Sequence, residues 1–192
     1  MSLAEKLVIR GNGSEVDGPD IGFLRLAPHQ AATLNSTNVF FNLSKREEAV
    51  LGNKNAPSEY FEGLCGIVAE WTEDKAGEVG FHRLRGFRGL FGVGCVVKTQ
   101  ERDGHDFIDF ETTYNGASKA PLSYKGMSGG ALWRVGIKTD GDGRPTVSSK
   151  MIFGVAFHQS DLVNGVRTIK CHGAKSVYGA LIRQVRSRWP AA

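Results

Sequence analysis

The sequence is short of the residues that build cross-linked or membrane-embedded folds. Its three cysteines, Cys65, Cys95 and Cys171, are far apart and never form C-x-x-C. That spacing argues against a disulfide framework and against a zinc site. Cys65 in "LCGIV" and Cys95 in "GVGCVV" lie in apolar runs, where a free thiol is expected to behave as a small hydrophobe. Unpaired cysteines point to a reducing, cytoplasmic setting. No apolar run approaches the length of a bilayer span, so no membrane association is expected. The opening "MSLAEKLVIRGNG" lacks the apolar stretch of a signal peptide. Net charge is only +4, and basic residues gather only in "HRLRGFR" (82–88). Without a longer basic tract interleaved with aromatics, no nucleic-acid partner is expected.

Proline is also scarce, at 6 residues, whereas glycine is abundant, at 25. That balance favours tight turns and hairpins over long helices. Short alternating segments dominate: "DIGFLRLA" (20–27), "EGLCGIVAEWTED" (62–74), stretches near 79–84 and 92–99, "FIDFETTY" (107–114), "GGALWRVGI" (129–137), "KMIFGVAFHQS" (150–160) and "VRTIKCH" (166–172). Each reads as a strand bounded by turn residues. Residues 31–60 read as polar loop, with a short strand at "NVFFNLS" and a helical turn at "REEAVLG". Only the end carries a helical period, with apolar residues at 177, 178, 181, 182, 185 and 189. The plan is many short strands closed by one helix, an antiparallel barrel or sandwich.

One acidic motif and one glycine motif are excluded by their context. "TDGDGR" (139–144) lacks the distal Glu and the glycine spacing of a calcium loop and reads as a hairpin turn. "GVGCVV" has no third glycine and no following helix, so no dinucleotide cofactor is expected. No His, Cys and carboxylate grouping has metal-ligand spacing. The expected cofactor and metal content is therefore none.

"YKGMSGGALW" (124–133) carries the chemistry. As G-x-S-x-G, the segment Gly126–Gly130 fits the nucleophile elbow of α/β-hydrolases, which needs a buried strand before the serine and a helix after it. Here a polar, Pro-containing stretch precedes Ser128 and a strand pattern follows. As G-x-S-G-G before a strand, it resembles the active-site loop of the trypsin-like, chymotrypsin-fold serine peptidases. "PDIGFLRLA" (19–27) is similar to that family's aspartate-bearing strand, D-I-A-L-L-R-L. "IFGVAFHQS" (152–160) resembles its pocket-lining strand, and a terminal amphipathic helix completes the family's order.

The resemblance implies an all-β fold of chymotrypsin-like antiparallel barrels with a C-terminal helix. Residues 1–35 would hold a remnant of the first barrel with the Asp strand and a linker; residues 36–192 would hold the second barrel. It implies Ser128 as nucleophile, Asp20 as orienter of a histidine, and the amides of Gly126 and Ser128 as the oxyanion hole. Leu122 would form the pocket base, favouring an apolar or small substrate side chain, and Ala156, Phe157 and His158 would line the substrate site. The partner is a polypeptide substrate.

The sequence departs from the family in two places. The family's histidine precedes the aspartate by several tens of residues. Only 19 residues precede Asp20, and all five histidines follow it. The expectation is a histidine in a segment preceding this chain, leaving Ser128 without a base. The alternatives are a pseudo-peptidase that binds peptides as a scaffold, or a replacement base at His158. Met127 stands where many secreted members carry Asp, so activation by pairing with a freed N-terminus is not expected. Met127 and the missing cysteines near Ser128 favour a bacterial, intracellular type.

Overall fold

A computed structural model of the chain describes residues 5–10, 19–52, 59–75, 84–86, 89–112, 121, 123–161, 163–164 and 166–190. The fold is mostly β. In chain order, β1 (Lys6–Arg10) and β2 (Asp20–Leu24) pair as an antiparallel hairpin with Arg10 opposite Asp20. Then come α1 (Pro28–Asn35), α2 (Glu47–Leu51), β3 (Glu59–Ile67) and a short pair, β4 (Glu73–Lys75) with β5 (Leu84–Gly86). The strands β6 (Gly89–Arg102), β7 (His105–Thr112), β8 (Ala131–Thr139), β9 (Pro145–Gln159) and β10 (Thr168–Gly173) follow. The chain ends in a helix wound as π over Lys175–Leu181 and as α over α3 (Ile182–Arg188). Six strands close into an antiparallel barrel in the order β10-β7-β6-β3-β8-β9.

Strand alternation builds two cores. Inward residues such as Leu64, Phe110, Leu132, Phe153, Ile169 and Cys171 fill the barrel. A second core lies where Ile21 of β2 meets Val177, Tyr178, Leu181 and Ile182 of the terminal helix. These helical positions are the ones the period marks out, so the apolar face is legible although the π winding is not. At one end of the barrel, the buried Glu62 carboxylate accepts from Arg134 Nη2 at 2.6 Å and from the Val96 amide at 2.9 Å. The Arg134 guanidinium lies between the rings of Tyr60 and Phe153, at 4.6 and 4.5 Å.

The structure corrects three sequence expectations. Cys65 and Cys95 are exposed, while Cys171 is the buried thiol. Period-two alternation turns Leu64 into the barrel and Cys65 out, so an apolar run does not by itself bury every member. Burial pushes the Cys171 thiol well above its usual range. Second, Pro28–Asn35, expected as linker and loop, is a helix. Pro28 supplies a preset first-turn φ, and Gln30 Oε1 accepts the Ala27 amide at 3.1 Å. Third, "NVFFNLS" is not a strand. Val39 and Phe40 are exposed, and Phe41 packs edge-on against Trp133 at 5.1 Å. The expected segment near 79–84 lies largely outside the described residues.

The terminal helix is anchored from a distance. Buried Asp106 accepts the amides of Lys175 (3.0 Å) and Ser176 (2.7 Å), and its own amide donates to Ser176 Oγ (2.9 Å). A carboxylate is thus placed at a helix N-terminus by a strand, where orphan amides need acceptors. A Cβ on Gly173 would lie 2.3 Å from Asp106 Oδ2, so glycine is needed at this approach. Asp106→Ala is expected to lower stability by roughly 3 kcal/mol through loss of charge-assisted hydrogen bonds, read as a shift in the urea midpoint. Asp106→Asn should lose less.

Candidate active site

The loop Tyr124–Gly130 joins the barrel through backbone contacts that dictate its glycines. Gly126 has φ +93° and Gly129 φ +85°, both in the left-handed region. A Cβ on Gly126 would also sit 2.9 Å from the Ile67 carbonyl oxygen, and one on Gly130 2.7 Å from that of Cys65. Gly126 therefore serves both conformation and close approach, Gly129 conformation, and Gly130 close approach. The Gly129 amide donates to Ala156 O, and the Ala156 amide donates to Gly130 O, both at 2.8 Å. The Ala69 amide donates to Lys125 O at 2.7 Å. Met127 fills the barrel interior and is 2% exposed. An aspartate there would be buried in an apolar core.

Ser128 is exposed on this loop, and strand β8 follows it at Ala131. The strand–turn–helix context of a hydrolase elbow is thus absent. Among the described residues, the amides of Gly126 and Ser128 donate to no backbone carbonyl. Among the described residues they are two uncommitted donors in one tight turn.

The loop and the end of β9 enclose a cleft of about 170 Å³. Tyr124 to Ser128 form one wall, Ala156 to Gln159 the other, and Ile169 contributes from β10. Of the residues singled out from sequence, Gly126, Ser128, Ala156, Phe157 and His158 come together here. Leu122 lies outside the described residues. Gln159 was not legible from sequence, because its role is a cross-cleft contact. Its Oε1 accepts the Tyr124 amide at 2.7 Å and its Nε2 donates to Ser123 Oγ at 3.1 Å. Gln159 thus ties the two walls together.

β9 is irregular at the cleft. Cys171 pairs with Ala156 but Lys170 with His158, leaving Phe157 as the extra residue of a bulge. A bulge re-aims its side chain, and the Phe157 ring stacks on His172 at 4.4 Å with 27° between planes.

Asp20 does not line the cleft. It is exposed on β2, and its amide donates to His172 Nε2 at 3.1 Å. His172 is fully buried. With Nε2 accepting, the neutral ring carries its proton on Nδ1, which has no hydrogen-bond partner. Burial, and then the nearby His105, hold the His172 pKa down from 6.5 to about 4, against smaller opposing pulls from Asp20 and Asp106. His172 was not singled out from sequence; "IKCH" at a strand end gives no hint of a ring buried under a distant hairpin.

No protein-family model, curated protein or solved structure matches this chain. Among the described residues, none of the four histidines hydrogen-bonds Ser128. None of the described His, Cys, Asp and Glu side chains form a group of three or more suited to a metal ion. No described helix is long and apolar enough to cross a membrane.

Two measurements probe this arrangement. Gly126→Ala combines an unfavourable φ with a clash against Ile67 O and should cost on the order of 1–3 kcal/mol, read by urea denaturation. A cost under a few tenths would contradict the loop geometry. The depressed His172 pKa means the folded state binds this proton more weakly than the unfolded chain. Stability is then complete above about pH 6.5 and declines as pH falls toward about 4. Urea midpoints at neutral pH and at pH values near 4 should show the decline, and His172→Phe should flatten it. Equal declines in the two proteins would remove His172 as its source.

Proposed function

We propose that this domain is a serine endopeptidase of the trypsin-like type that takes an extended polypeptide into the Ser128 cleft. The carrying observation is that Ser128, two uncommitted amides and an open strand edge border one cleft. The last β8–β9 pair is Ala131 with Val155. The serine loop occupies Ala156, and beyond it, among the described residues, His158 and Gln159 pair with β10 alone. An extended peptide can add to such an edge through main-chain hydrogen bonds. Tyr124, Met127, Ala156, Phe157 and Ile169 give the cleft its apolar lining, beside Lys125, Ser128, His158 and Gln159, and no described lining residue is a carboxylate. A volume of about 150 Å³ is enough for benzene, so one medium apolar side chain is the matching occupant, and Lys or Arg finds no counter-charge.

In the proposed reaction, Ser128 Oγ bonds to the scissile carbonyl carbon while its proton passes to a base. The Gly126 and Ser128 amides stabilise the resulting oxyanion, an effect of about 3–4 kcal/mol per donor in serine peptidases. Collapse of the intermediate expels the amine, which takes the proton, and water then hydrolyses the acyl-enzyme. Asp20 is assigned the orienting of a histidine that the described residues do not place beside Ser128. A serine hydroxyl without a base is a poor nucleophile, and with no described histidine bonded to Ser128 the reaction is expected to be slow.

A second reading is a peptide-binding pseudo-peptidase. It is favoured by one observation: Asp20 is not among the residues lining the cleft, and its amide is bound to His172.

The test is labelling by a fluorophosphonate, followed by intact mass, together with binding of an acetylated tetrapeptide ending in leucine. Slow labelling that Ser128→Ala abolishes and the peptide suppresses is the expected result. Peptide binding with no labelling would favour the pseudo-peptidase. Neither labelling nor binding would overturn both readings. Gln159→Ala should widen the cleft and shift side-chain preference from leucine toward tryptophan; an unchanged preference would remove Gln159 as a wall.

A further inference from the structure

His172 occupies an unusual position for a buried polar group. It lies outside the barrel interior: Ile169 and Cys171 on the same strand point into the core, and His172 alternates away from them. It is nevertheless fully buried, held between three features. The Asp20 amide of the β1–β2 hairpin donates to Nε2, across 152 residues of chain. The Phe157 ring, on the bulge of β9, stacks on one face. Phe107, its partner on β7, lies tilted at 5.2 Å.

Among the described residues, the proton on Nδ1 is buried without a partner, which is unfavourable relative to a satisfied group. An aromatic carbon ring would fill the same space without that cost but would not accept the Asp20 amide. What the imidazole provides and a phenyl ring would not is the bond to the hairpin, while its other contact is a side chain of the cleft wall.

We propose that His172 is a positioning residue that couples the β1–β2 hairpin to the cleft wall. The hairpin fixes the imidazole through the Asp20 amide. The imidazole fixes Phe157 by stacking, and Phe157 shapes the cleft in which Ser128 sits. A displacement of the hairpin is then transmitted to peptide binding through one ring. The inference rests on the reading of the cleft as a peptide site.

The experiment is a coupling measurement. Gly22→Ala perturbs the hairpin far from the cleft, since its Cβ would lie 2.5 Å from Leu7 O. His172→Phe keeps a ring against Phe157 and removes the acceptor. His172→Gln keeps an acceptor near Nε2 and removes the ring, and it stands in where the Phe variant does not fold. Affinity for the leucine-ending tetrapeptide is measured in each single variant and in the double variant. Gly22→Ala should weaken binding about fivefold in the wild-type background and leave it unchanged in the His172→Phe or His172→Gln background. A merely structural role for His172 predicts the same fivefold loss in both backgrounds, and that outcome overturns the coupling. No effect of Gly22→Ala in either background also overturns it. If the wild-type chain binds no peptide, the cleft reading fails separately. The coupling is then read from the amide chemical shifts of Phe157 and Ser128. Shifts caused by Gly22→Ala in the wild type and absent in the His172 variants uphold it, and any other pattern overturns it.

Discussion

Closing a sheet into a barrel gives its backbone groups partners, but only where neighbouring strands run equally far. Here β9 continues past the last β8 partner, and the chain answers that mismatch with the serine loop. Gly129 and Gly130 exchange hydrogen bonds with Ala156 in place of a β8 residue. The rest of the site depends on this substitution of a turn for a strand. It seats Met127 in the core, exposes Ser128, leaves the Gly126 and Ser128 amides uncommitted, and frees the β9 edge beyond Ala156. The three glycines follow from the same constraint, because a turn replacing a strand must bend sharply while touching Ile67 and Cys65 backbone.

Buried polar groups hold the barrel and the layer that covers it in one arrangement. Asp106 receives the amides that open the terminal helix, Glu62 holds Arg134 between two rings, and His172 receives the hairpin amide. Each is a long-range tie, and an unmade bond there costs more than an exposed one gains. Such groups are weak as net stabilisers but strong in fixing one arrangement over others. The hairpin, the terminal helix and the cleft wall thus share a frame although they come from opposite ends of the chain.

The barrel strands, the terminal helix face and the serine turn were legible because each is announced by local pattern: alternation, a 3.6-residue period, and glycines around one serine. Ser128, Ala156, Phe157 and His158, singled out from separate segments of the sequence, line one cleft. What failed locally failed for a shared reason. Cys65 and Cys95 sit in apolar runs whose alternation turns them outward. Phe41 packs on Trp133 instead of extending a strand. The helix Pro28–Asn35 has no buried residue, so no apolar stripe marks it.

The sequence by itself determined the β-rich architecture, the turn at Ser128 and the helical close, because those follow from short-range sterics and periodicity. Tertiary structure alone decided that Gln159 bridges the cleft, that Phe157 is bulged out to meet His172, and that Asp20 meets that histidine through its backbone. Each of these depends on which strands run past their neighbours and on which polar atoms are left without water. Those are properties of the closed barrel and of what covers it, and no segment carries them alone.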